Sequence, residues 1–260
     1  MDTTNQTALI TGAGNGIGRA IAIAMGENQR NVVCADIDLD AAQITANTIR
    51  QLGVEATAVR VDVGETLQIS EMIQEVKREF GRLDILVNNA GVTRAADIME
   101  LTEVDWDRIH RVNAKGVFFC LQGAAKQMIE QNNGGRIINI ASIAGRGFVG
   151  TSNAAYSASK GAVISLTKTA AQQLARHDIT VNSICPGVTT TEIVEDLVKA
   201  RAEAKGISLD DMVKEMTDNI PLKRANDPED IAAMAIFLAS KGARNITGQS
   251  YNVDGGLVTS

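Results

Sequence analysis

The chain has 260 residues, 45% of them apolar and only 3% aromatic, with a formal net charge of −6. That length suits one α/β core built mainly from Ile, Val, Leu and Ala, and the acidic balance argues against a nucleic-acid or anionic-membrane partner. Cys34, Cys120 and Cys185 are odd in number and far apart, which disfavours a disulfide framework or a metal site and points to a reducing compartment. The first residues lack a basic stretch followed by an apolar run, and no apolar run approaches the roughly 18 residues that span a bilayer. A cytoplasmic protein with no metal and no membrane partner is the expectation.

Taken in chain order, short apolar runs at 7–11, 31–36, 56–63, 83–89, 135–142, 180–185 and 248–253 read as strands. Most are continuous Val/Ile/Leu runs, as in strands covered on both faces. Helical periodicity fills the gaps at about 17–29, 40–52, 66–80, 103–131, 154–177 and 228–240. This alternation predicts an α/β fold: one doubly wound Rossmann domain over 1–260, with a seven-stranded parallel sheet and helices on both faces. The exception is 188–222, a polar helical stretch (192–205, then 209–219) inserted after Pro186-Gly187. It reads equally as a lid over a site or as a solvated excursion.

The first strand runs into Thr11-Gly12-Ala13-Gly14-Asn15-Gly16-Ile17-Gly18 before an apolar helix. A strict GxGxxG fails here; Gly12-x3-Gly16-x-Gly18 fits. Glycines at such a junction allow a tight turn and close backbone approach to a pyrophosphate at the helix N-terminus. The second strand ends in Asp36. A carboxylate there can hold ribose hydroxyls and repel a 2′-phosphate, which predicts NAD as cofactor; the plainer role is to cap the following turn. Asp62-Val63 and Asn88-Asn89-Ala90-Gly91 close two further strands, where ligands of such sheets sit.

Ser142 closes the fifth apolar run, and Tyr156 and Lys160 lie four apart at the start of the next helix. Residues at that spacing share a helix face. An ammonium beside a phenol is expected to lower the phenol pKa and fit it for proton exchange with an alcohol or ketone.

Together, Thr-Gly-x3-Gly-x-Gly at 11–18, Asn-Asn-Ala-Gly at 88–91, Asn113, Ser142, Tyr-x3-Lys at 156–160, Pro186-Gly187 and Asp254-Gly255-Gly256 resemble the short-chain dehydrogenase/reductase family along nearly the whole chain. The resemblance implies that Tyr156 is general base or acid, that Lys160 tunes it and holds nicotinamide ribose, that Ser142 orients the reacting oxygen, and that Asn113 supports a water relay. It also implies cofactor contacts from Thr11, Gly12, Asn15, Gly16, Ile17, Gly18, Asp36, Asp62, Val63, Asn89, Ala90, Gly91, Tyr156, Lys160, Pro186, Gly187, Val188 and Thr191. A homotetramer formed through the two long helices is implied as well.

The substrate pocket is expected from Arg94, Ser142, Ala144, Phe148, Asn153, Tyr156, Val188 and Ile193, walls with few charges that suit a small polyol or hydroxyketone. Arg146 is a further basic residue nearby. The competing readings are a 3-oxoacyl-carrier-protein reductase-like enzyme, which family members usually mark with Arg where this chain has Asn15, and a non-catalytic NAD(H)-binding regulator. An epimerase of the extended relatives would need a larger C-terminal domain.

Overall fold

The computed structural model describes residues 6–149, 152–191, 198–199, 202–203 and 205–259. Seven strands, β1 (Thr7–Thr11), β2 (Asn31–Asp36), β3 (Ala56–Arg60), β4 (Ile85–Asn88), β5 (Gly135–Ile140), β6 (Ile179–Pro186) and β7 (Ser250–Val253), form one sheet. Their order is β3-β2-β1-β4-β5-β6-β7 and every pairing is parallel. The order reverses between β1 and β4, and a crevice for ligands opens at the C-terminal edge of such a switch point.

Helices α1 (Gly16–Glu27), α2 (Leu39–Arg50), α3 (Thr66–Phe80), α4 (Glu103–His110), α5 (Val117–Gln131), α6 (Ala154–Leu174), α7 (Leu209–Asp218) and α8 (Pro228–Ala239) flank or overlie it. Side chains of one strand alternate between two cores. Ala8 and Ile10 join Ile21, Met25 and Leu238 on the α1/α8 side, whereas Leu9 joins Met72, Leu121 and Val181 on the side of α3, α5 and α6. This two-faced burial is why the strands read as unbroken apolar runs.

Strands 56–63, 83–89, 135–142 and 248–253 are shorter than expected: β3, β4 and β5 stop early where the chain leaves the ladder to line the cleft, and β4 and β7 each start two residues later. Conversely, β6 runs one residue further at each end than expected. Helix boundaries follow local chemistry. Thr102 and Asp105 make a capping box that starts α4, Pro228 at the first turn with Asp227 and Asp230 starts α8, and left-handed Gly81 ends α3. The stretch expected as one helix over 103–131 is continuous but contains a π-helical segment, Arg111–Gly116; such bulges turn one residue off the regular face.

Of the insertion, α7 is the part described in full, and the helix expected over 192–205 lies mostly outside the described residues. Val198, Ala202 and Met212 form a small apolar cluster with Ile207 and Met216. Its base is fixed by a parallel bridge between Thr189 and Asn226. Thr190 N–H donates to the Asn226 carbonyl (2.9 Å), and Asn226 N–H donates to the Val188 carbonyl (2.8 Å).

Candidate active site

A cleft of about 460 Å3 runs along the C-terminal strand edge. At one end the glycine turn is set by close packing. A Cβ on Gly18 would lie 1.9 Å from the Gly12 carbonyl oxygen and 2.4 Å from Asn89 Nδ2, so the turn closes only with glycine. Gly12 and Gly16 have φ of 66° and 52°, the left-handed region open to glycine. Helix α1 then begins with no side-chain cap at Asn15 and no acidic residue in its first turn. Its first N–H groups and dipole are therefore available to an anion in the cleft.

Asp36 lies on the cleft wall. Its Oδ2 accepts from Gly14 N–H (2.8 Å) and its Oδ1 from Asp38 N–H (3.0 Å). The capping role and the cleft-facing position are thus both realised in one carboxylate.

Of the expected cofactor contacts, Gly12, Asn15, Gly16, Ile17, Asp36, Asp62, Val63, Asn89, Ala90, Gly91, Tyr156, Lys160, Pro186, Gly187, Val188 and Thr191 border the cleft. Thr11 and Gly18 do not. The buried Thr11 Oγ1 accepts from Asn89 N–H (3.1 Å) and Ala90 N–H (3.2 Å), while Asn89 Nδ2 donates to the Thr11 and Gly12 carbonyls. These bonds lock the ends of β1 and β4 together under the cleft.

At the other end stand Ser142, Tyr156 and Lys160, all on the cleft. The Lys160 ammonium is buried (3% exposed) and donates to the Ile140 carbonyl at 2.8 Å. It sits 5.7 Å from the Tyr156 ring centroid. The expected depression of the Tyr156 pKa is not found in the protein alone. Burial raises the phenol pKa, with the Ser142 hydroxyl, hydrogen-bonded to it, acting the other way. Burial also pushes Lys160 down from 10.5 to about 8. Both groups are driven towards their neutral forms by burial.

Asn113 occupies the π-helical segment and is fully buried. Its Oδ1 accepts from Val92 N–H (2.8 Å), and its Nδ2 donates to the Val92 carbonyl (2.9 Å) and Ser159 Oγ (3.2 Å). It clamps the chain just past Gly91, where a Cβ would meet both Asn113 Oδ1 (3.4 Å) and Lys160 Nζ (3.5 Å).

The expected substrate wall is corrected in several places. Ser142, Tyr156 and Val188 face the cleft. Arg94 does not: its guanidinium forms a two-pronged ion pair with Asp105 (both bonds 2.6 Å), which holds the Asp105 carboxyl well below the usual carboxylate range. Ala144 is buried in the turn after Ser142, and Phe148 packs with Leu257 and Val258 against a separate apolar cluster. Asn153 is buried too. It caps α6 by accepting from Tyr156 N–H (2.8 Å) and donates to the Arg94 carbonyl (2.8 Å). Arg146 reaches the Ser250 carbonyl rather than the cleft. Ile193 lies outside the described residues.

In their place the structure brings Thr93, Ser152 and Met216 to the cleft. Thr93 follows Asn-Asn-Ala-Gly by two residues and Ser152 adjoins Asn153, so the sequence named their neighbours. Met216, one turn beyond Met212 on α7, carried only an ordinary core spacing.

A family model described as enoyl-(acyl carrier protein) reductase matches residues 12–258. The chain is 42% identical over 255 residues to 3-oxoacyl-(acyl-carrier-protein) reductase FabG of Staphylococcus epidermidis, covering 97% of this chain and 99% of that protein. It is 40% identical over 259 residues to sorbitol dehydrogenase of Cereibacter sphaeroides, covering 98% of each. Among solved structures, NAD+-bound xylitol dehydrogenase superposes with a TM-score of 0.91 at 33% identity, covering 98% of this chain and 100% of that one. A putative 2-deoxy-d-gluconate 3-dehydrogenase from Agrobacterium tumefaciens with bound NADP gives 0.85 at 36% identity, covering 97% and 96%. The chain belongs to the short-chain dehydrogenase/reductase family and is a hydride-transfer oxidoreductase.

Proposed function

We propose that the protein interconverts a small secondary alcohol, a polyol or its hydroxyketone, with the corresponding carbonyl compound, using NAD(H). The observation that carries this reading is one continuous cleft with Asp36 at one end and Ser142, Tyr156 and Lys160 at the other. The uncapped start of α1 suits the pyrophosphate of a dinucleotide, and Asp36 suits an unphosphorylated ribose. Thr11 and Gly18 contribute by holding the turn, Asp62 and Val63 by bordering the adenine side, and Asn89, Ala90, Gly91 and residues 186–188 with Thr191 by bordering the nicotinamide side.

When bound, nicotinamide supplies the hydride acceptor or donor. In alcohol oxidation the Tyr156 phenolate takes the hydroxyl proton; in carbonyl reduction the phenol returns it. Ser142 donates to the reacting oxygen and orients it beside the phenol. Lys160, already tuned to about 8 by burial, titrates in the working range and exchanges its proton with the site. Asn113 acts by holding Val92 and Gly91 against Lys160.

A second reading, reduction of a 3-oxoacyl thioester, is favoured by the 42% identity to the acyl-carrier-protein reductase. We further propose one domain with its insertion over the cleft and a cytoplasmic location, suited to three buried free thiols. The helical faces carrying exposed Val104, Trp106 and Phe118 suit a homotetramer. Fluorescence titration with NADH and NADPH, followed by a panel of polyols, secondary alcohols and acetoacetyl thioesters, tests the scheme. Tighter NADPH binding with thioester turnover selects the second reading. Tight NADH binding without turnover across the panel selects a non-catalytic regulator.

A further inference from the structure

Two facing hydroxyls on the cleft wall lie outside the proton-transfer set. Thr93 Oγ1 and Ser152 Oγ are 2.5 Å apart, although 59 residues separate them in sequence. Both are partly buried and both border the same cleft as Ser142 and Tyr156. Their hydrogen-bond directions follow from the neighbouring amide. Asn153 must offer Oδ1 to Tyr156 N–H and Nδ2 to the Arg94 carbonyl, which fixes its orientation. Its Nδ2 also donates, at 3.4 Å, to Thr93 Oγ1. Thr93 thereby spends one acceptor lone pair on Asn153, and either hydroxyl of the pair can donate to the other. Whichever hydroxyl donates within the pair, one O–H is left over, with acceptor lone pairs beside it.

The same amide that starts α6, and so places Tyr156, also places this hydroxyl pair. The distance from the reacting oxygen to the pair is therefore fixed by one short capping turn rather than by a loop free to adjust. Arg94, pinned to Asp105, holds the far side of the Thr93 loop.

We infer that Thr93 and Ser152 form a recognition subsite for a second oxygen of the substrate, beside the carbon that is oxidised. The ligand class is a vicinal diol or α-hydroxyketone, whose second oxygen accepts the leftover O–H of the pair; where that oxygen is a hydroxyl it also donates back to the pair. This rests on the dehydrogenase reading above and narrows it. A mono-alcohol would leave the pair facing an apolar group, and burying an unanswered hydroxyl discriminates strongly against the analogue that lacks the partner.

The test compares kcat/KM for 2,3-butanediol and 2-butanol, extended to longer pairs sharing a carbon skeleton, where the intact enzyme is expected to favour the diol by about tenfold or more. Ser152→Ala is expected to erase that preference by slowing the diol, while 2-butanol turnover stays within about twofold and so serves as the control for folding. Ser152→Thr keeps the hydroxyl and is expected to keep the preference; Thr93→Val is expected to weaken it. Equal kcat/KM for diol and mono-alcohol in the unaltered enzyme, or a preference unchanged in Ser152→Ala, overturns the subsite and leaves the dehydrogenase reading standing. Absence of turnover across all alcohols and ketones overturns both.

Discussion

The two ends of the cleft are built from different materials. Around Gly12–Gly18 the surface is backbone, shaped by glycines that leave no room for a methyl group and by a helix start without a cap. Around Tyr156 it is side chain: hydroxyls, a phenol and an ammonium carried on α6 and on the loops after β4 and β5, each oriented by another buried polar group. A backbone surface binds what every cofactor molecule shares, whereas a side-chain surface can differ between relatives on one scaffold. The first end should break when an atom is added, and the second when one is removed.

The largest effect is expected at the second end. Tyr156→Phe removes one oxygen and should lower kcat by about 10³-fold, within the range for loss of a general acid–base group. NADH affinity, read by fluorescence titration, should hold. Near-normal turnover would dissolve the contrast, because the side-chain end would then not carry the chemistry.

Gly18→Ala adds one carbon at the first end, 1.9 Å from the Gly12 carbonyl oxygen. It should cost about 1–3 kcal/mol of stability through overpacking and weaken NADH binding, both visible in urea melts with and without cofactor. Full cofactor affinity in a stable variant would show that the turn has slack.

Asp36→Asn keeps one of the two acceptors used by Gly14 N–H and Asp38 N–H and removes the charge. The ratio of NADH to NADPH affinity should fall by about tenfold, the scale of a charge-assisted hydrogen bond. An unchanged ratio would mean that the carboxylate serves only the turn.

The smallest effect is a pH signature. The folded-state pKa of Lys160 lies below its ordinary value, so between about 8 and 10.5 the unfolded chain binds a proton that the folded chain does not. Stability therefore rises with pH across that window, and below it the full cost of burying the ammonium remains. Lys160→Met should flatten the rise in urea midpoint over this range. A rise of equal slope in the variant would place its origin elsewhere.

What could be read from the sequence follows the same division. Strands β1 and β2 and helix α3 stand where their apolar runs and periodicity placed them, because sheet burial on both faces leaves a mark on every residue. Gly12–Gly18 and Asp36 were legible because a backbone turn needs particular residues at particular spacings. The pocket wall was not. Arg94 looked like a free cation until Asp105, eleven residues on, claimed it. Asn153 looked like a wall residue, but it faces inward as a cap, and its neighbour Ser152 faces the cleft. The direction of the Tyr156 pKa was misjudged for a related reason: spacing on a helix gives the shared face, not the depth of burial that raises the phenol.

The bridge between Thr189 and Asn226 gives the insertion a property of its own. Its two ends are tied to each other, with Asn226 Nδ2 also anchored on the Val253 carbonyl at 2.7 Å. The excursion between them is thus a closed ring on a fixed socket. Lengthening such a ring costs only logarithmically in closure entropy. An exchange cut between Thr189 and Asn226 would replace two side chains on the cleft wall, Thr191 and Met216.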